Sequence, residues 1–82
     1  MKIERVISWF DKNTEVLKGE FHIDNIPLET LKSIFSPPAV DPLMFNPYTI
    51  YEQEGQKLSQ ILDFHFDFEN NVYQIDCFQG SE

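Results

Sequence analysis

The 82-residue sequence predicts an α+β fold, an antiparallel sheet of four to five strands with two helices packed on one face. Three observations lead there. Runs of alternating apolar and polar residues recur towards both ends of the chain. Two internal segments switch to a 3.6-residue period. Prolines and short polar turn residues punctuate the boundaries between them.

"KIERVISWF" is rich in β-branched and aromatic residues and predicts a strand from about Lys2 to Phe10. Ile3, Ile7 and Trp9 fall on one side of it, Val6 and Phe10 on the other, as in a central strand. Trp9, a large aromatic, is expected in the core. Asp11–Thr14 is turn chemistry, in which short polar side chains satisfy local backbone groups. "EVLKGEFHID" alternates, with Leu17, Phe21 and Ile23 pointing one way and Lys18, Glu20 and His22 the other. These two strands form an antiparallel hairpin.

Leu28, Leu31, Ile34 and Phe35 then fit a helical stripe. Asn25 is its expected cap, Pro27 sits in the first turn, and Pro37 ends the helix near Phe35. "YTIY" (Tyr48–Tyr51) predicts a short strand. "EQEGQKLSQIL" predicts a second helix with Leu58, Ile61 and Leu62 on one face, weakened by Gly55 by up to ~1 kcal/mol. Phe64, Phe66 and Phe68 alternate strictly with His65, Asp67 and Glu69. Asn70 and Asn71 tolerate positive φ and suit a tight turn. "VYQIDCF" closes the sheet with Tyr73, Ile75 and Cys77 facing inward.

Between the first helix and the third strand lies "SPPAVDPLMFNP", Ser36–Pro47, which holds four of the five prolines. A free linker would be polar, but this segment carries Val40, Leu43, Met44 and Phe45. Its length is about twice that of an ordinary connection, which marks a packed or functional loop. It reads as an ordered flap whose Met44 and Phe45 cover one edge of the core, or else as a preorganised contact surface.

The chain is long enough for a single small domain, residues 1–82, with a thin core. Eight Phe, three Tyr and one Trp compensate, because aromatics bury the most area per residue. The single cysteine, Cys77, allows no internal disulfide, so the fold needs no oxidising compartment. Glu4 and Arg5 interrupt the first apolar run, which is unlike a signal peptide, and no stretch approaches a membrane span. A soluble, cytoplasmic protein is the expectation.

Charge is the least ordinary feature. The net charge is −8. Residues 1–40 carry six acids against five bases, whereas residues 41–82 carry eight acids against Lys57 alone. This field repels nucleic-acid phosphates and anionic membranes and attracts a cationic partner.

Catalytic signals are absent. There is no Gly-rich phosphate loop, no Ser-centred nucleophile motif and no carboxylate pair singled out by spacing. Cys77 reads as a buried, inert thiol. No enzyme activity and no cofactor are expected. "FHID" (Phe21–Asp24) and "FHFD" (Phe64–Asp67) each place a His and an Asp on one strand face. Were those strands neighbours, His22, Asp24, His65 and Asp67 could hold a divalent metal; otherwise they are solvent faces.

The segments "VISWFDKNTEVLKGE", "IPLETLKSIF" and "DPLMFNPYTIYEQEGQKL", with the closing aromatic strand, resemble a family of small bacterial proteins of unassigned function. The resemblance implies no catalytic residue. In size, acidity and α+β build the chain is also similar in style to bacterial immunity proteins that neutralise a toxin. The functional expectation is therefore an acidic module that binds a basic protein. Glu52, Glu54, Asp63, Asp67 and Glu69 would act as steering charges, and Phe45, Tyr48 or Tyr51 as the apolar anchor. A self-associating structural domain, such as a homodimer, is the alternative, alongside the metal-binding one.

Overall fold

The computed structural model describes residues 2–80. Glu82, one of the acids counted above, lies outside them. Six elements follow one another: β1 (Lys2–Asp11), β2 (Leu17–His22), α1 (Leu28–Phe35), β3 (Tyr48–Ile50), α2 (Glu52–Ser59) and β4 (Asn71–Gly80). The strands form one antiparallel sheet in the order β2-β1-β4-β3, the four-stranded form of the α+β expectation. The two long strands occupy its centre and pair along their whole length.

Register decides which residues face the helices. Ile7 lies opposite Phe21 on β2 and Ile75 on β4, and Trp9 lies opposite Gly19 and Tyr73. Ile50 of β3 pairs with Tyr73. Onto this face α1 contributes Leu31, α2 contributes Leu58, and the connections contribute Ile23, Ile26 and Met44. Each fully buried aliphatic side chain here is worth about 1.5–3 kcal/mol. Val6 is also buried, at 2% exposure, yet lies outside this core on the opposite face with Ser8 and Phe10.

Five details depart from the expectation. The pairing of β1 with β2 shifts register between Trp9 and Phe10, so Phe10 meets Leu17 and Lys18 is left over as a bulge. The bulge moves Leu17 away from the side of Phe21 and leaves it exposed. Helix α1 begins at Leu28, with Pro27 rather than Asn25 in the capping position. The Pro27 carbonyl accepts from the N–H groups of Thr30 and Leu31, and the extended ψ of Pro27 makes this possible without a polar cap. Ser36, in the left-handed region at φ 48°, ends the helix by donating its N–H to the Lys32 carbonyl.

Helix α2 stops at Ser59, so Ile61 lies in the following turn and is exposed. The strictly alternating Phe64–Glu69 segment belongs to no strand, although its phenylalanines are half-buried and His65, Asp67 and Glu69 exposed. It runs as a strap over the helix side of the sheet. Neither Asn70 nor Asn71 takes positive φ; the chain instead turns over Phe68–Asn70, with the Asn71 N–H donating to the Asp67 carbonyl.

Candidate functional site

The strap is held by an aromatic cluster built on Tyr73. Phe64 packs edge-on against Trp9 at 5.3 Å and, tilted by 42°, against Phe21 at 5.0 Å. Phe66 and Phe68 stack on each other at 5.3 Å, and both meet the Tyr73 ring edge-on. The Tyr73 hydroxyl accepts a 2.8 Å hydrogen bond from the Asp67 N–H, fixing the strap to the sheet without strand pairing. Asn71 Nδ2 donates to the same hydroxyl. Lys12 Nζ donates to the Phe68 carbonyl and ties down the far end.

With the phenylalanines turned inward, His65, Asp67 and Glu69 are exposed outward. Helix α2 runs beside the strap. Gly55 makes the approach possible, because a Cβ there would lie 2.7 Å from Phe68 Cζ. Between helix and strap lies a groove of about 590 Å³. One wall is the helix stripe Glu52, Gln56, Ser59 and Gln60; the other is His65, Phe66 and Phe68. No Lys or Arg lines it.

The structure distributes the expected contact residues unevenly. Tyr51 is 67% exposed beside Glu52 at the start of α2. Asp63, Asp67 and Glu69 are exposed in the adjoining turn and strap. Glu54 already has a task, since its carboxylate accepts the Tyr51 N–H at 3.0 Å and caps α2. Among the described residues, Glu52, Asp63, Asp67 and Glu69 form no ion pair with Lys or Arg.

Tyr48 and Phe45 belong to the proline-rich loop. Its organiser is Asp41, the acid that opens the "DPLMFNPYTIYEQEGQKL" segment. Asp41 is 6% exposed, and its carboxylate accepts from the N–H groups of Phe45 and Asn46 and from the Tyr48 hydroxyl at 2.6 Å. The Tyr48 hydrogen bond, reinforced by the two backbone donors, holds the Asp41 carboxyl below its ordinary pKa. Burial, with the carboxylate beside it, pushes the Tyr48 hydroxyl up to about 12. The turn so formed drives Met44 to full burial in the core, at φ 54°, and Arg5 Nη2 clasps the Leu43 carbonyl at 2.7 Å. The loop is therefore a lid on the core. Phe45 remains at its outer surface, 36% exposed.

The two His–Asp pairs do not assemble. His22 Nδ1 lies 3.4 Å from Asp24 Oδ2, while His65 faces the α2 groove. Among the described residues, no group of three or more His, Cys, Asp and Glu side chains is placed to hold a metal. Cys77 is partly buried opposite Arg5, and burial raises its thiol pKa, the opposite of an activated nucleophile. Among the described residues, no helix is long and apolar enough to cross a membrane.

Comparison with curated proteins finds no match. A family model described as a domain of unknown function, DUF7683, matches residues 4–76, which takes in most of both central strands, both helices, the lid and the strap. On that match the chain belongs to the DUF7683 family.

Proposed function

We propose that this protein is a small acidic binding module, not a catalyst, that receives a basic protein on the side formed by α2 and the strap. The observation that carries this reading is the set of exposed carboxylates of Glu52, Asp63, Asp67 and Glu69, none paired internally with Lys or Arg among the described residues. Unneutralised charge of one sign accelerates encounter with the opposite sign and selects against like-charged surfaces. Tyr51 stands beside these carboxylates as an exposed aromatic of the kind enriched in binding hot spots. In its specific form the module is an immunity-type inhibitor of a basic toxin such as a nuclease, working in the cytoplasm.

The test is capture from a lysate at low salt, comparing the native protein with a variant carrying Glu52→Gln, Asp63→Asn, Asp67→Asn and Glu69→Gln. The expected result is a basic protein that the native chain retains and the variant does not. Purified, that protein should bind with an affinity that falls steeply as salt rises. A captured protein that binds both forms equally, or is insensitive to salt, would overturn the proposal.

A second reading, self-association, has its own support. The sheet face opposite the helices carries Phe10, with Leu17, Val72 and Phe78 exposed and no helix over them. A second copy pairing through that face would bury them. Light scattering showing only monomer at high concentration would remove it.

A further inference from the structure

We infer that the groove between α2 and the strap is a receptor for an arginine side chain presented by an extended basic segment. This rests on the acidic-module reading and names the feature of the partner that it recognises. The groove has two unlike walls. The strap supplies the His65 imidazole with Phe66 and Phe68, the two phenyl rings held parallel within 9° of each other and fixed from below by Tyr73. The helix supplies Glu52 at one end, then the Gln56 amide, the Ser59 hydroxyl and the Gln60 amide, polar groups spaced along one stripe.

A guanidinium suits this combination better than any other side-chain head. It is planar, so it can lie against an aromatic surface while its edge donates to oxygen acceptors. It has five N–H donors and no acceptor, and Glu52, Gln56, Ser59 and Gln60 all offer oxygens. An ammonium is a compact, strongly hydrated charge that gains less from the ring wall. An anion is disfavoured by Glu52, the one carboxylate in the lining. The groove is open to solvent, and its volume of about 590 Å³ admits a side-chain head together with neighbouring backbone. Gly55 is part of the same design. With a side chain at 55, Phe68 could not reach the helix, and the aromatic wall would shift.

The experiment is an NMR titration of the 15N-labelled protein at low salt with two capped tripeptides, acetyl-Gly-Arg-Gly-amide and acetyl-Gly-Lys-Gly-amide. The arginine peptide should give saturable shifts confined to residues 52–60 and 65–68, binding at least about threefold more tightly than the lysine peptide. Glu52→Gln, a change at an exposed side chain, should weaken the arginine peptide about tenfold, the equivalent of 1.4 kcal/mol. Glu29→Gln, on exposed α1 surface away from the groove, should leave it unchanged. Equal binding of both peptides, or no effect of Glu52→Gln, would overturn the arginine receptor. Salt-sensitive shifts that map to other carboxylates would overturn it too, while leaving the acidic-module reading standing. Absence of any shift with the arginine peptide, and with a longer oligo-arginine, would remove both.

Discussion

Gly19 and Gly55 look like weak points that propensity alone would replace with alanine, yet each is where an aromatic ring meets backbone. A Cβ on Gly19 would collide with the Trp9 ring at Cζ2, inside any tolerable contact. Trp9 is itself wedged by Phe64 and Tyr73, so it has little room to retreat. Gly19→Ala should therefore cost about 1–3 kcal/mol in urea unfolding, the scale of overpacking. Combining it with Trp9→Leu should cost less than the sum of the two, because they share one contact. At Gly55 two effects compete. Alanine gains up to about 1 kcal/mol of helix propensity, whereas the collision with Phe68 costs about 1–3 kcal/mol. The collision wins, so Gly55→Ala should lower the melting temperature although it improves the helix; a rise would show that Phe68 swings out freely.

The proline-rich connection and the strap are both unpaired segments that act as structural elements. The connection is held by three hydrogen bonds to the Asp41 carboxylate and plugged by Met44. Met44→Ala should destabilise by about 2–5 kcal/mol, the cost of emptying a fully buried site. A surface loop that contributed nothing to the core would show almost no change. The strap depends on the Tyr73 hydroxyl and its inward rings. Its period of two is real, but it reports only that one side of the chain is buried. Pairing would require a free strand edge beside it, and β4 already has β1 on one side and β3 on the other. The alternation in "DFHFDF" is therefore satisfied by lying across the sheet.

For the molecule as a whole, charge sets how stability responds to pH. Asp41 and Asp11 are both held below their ordinary pKa of 3.8, Asp41 mainly by the Tyr48 hydroxyl and Asp11 by the N–H groups of Thr14 and Asn13. A depressed carboxyl adds stability that is fully present above its unfolded pKa and is lost as pH falls through the folded one. Denaturation midpoints should hold steady at mildly acidic pH and drop below about pH 4. Tyr48 works in the opposite direction. Its pKa is raised from 10.0 to about 12, so its contribution is complete below pH 10 and disappears as pH rises through that interval. Tyr48→Phe should flatten the alkaline loss and also shrink the acid loss, since it removes the donor that depresses Asp41. Measuring unfolding midpoints of the native protein and this variant across pH checks both signs together.

Local pattern determined much of this protein. Both long strands, the two helices, the core placement of Trp9, the inward faces of Tyr73 and Ile75, and the acidic bias of the second half are all readable from residue type and spacing, because burial periodicity is written into neighbouring positions. Of the candidate site, the carboxylates and Tyr51 were legible as residues, while the groove they border was not. The groove exists because Gly55 lets a strap distant in sequence pack against α2, and a contact between distant segments leaves no local period. The same holds for the bulge that turns Leu17 outward, for Asp41 as the organiser of the lid, and for the order β2-β1-β4-β3. A sequence states which face of each segment must leave water. Which surface receives that face depends on competition among all the segments for the same few edges and cavities, and only the tertiary structure decides it.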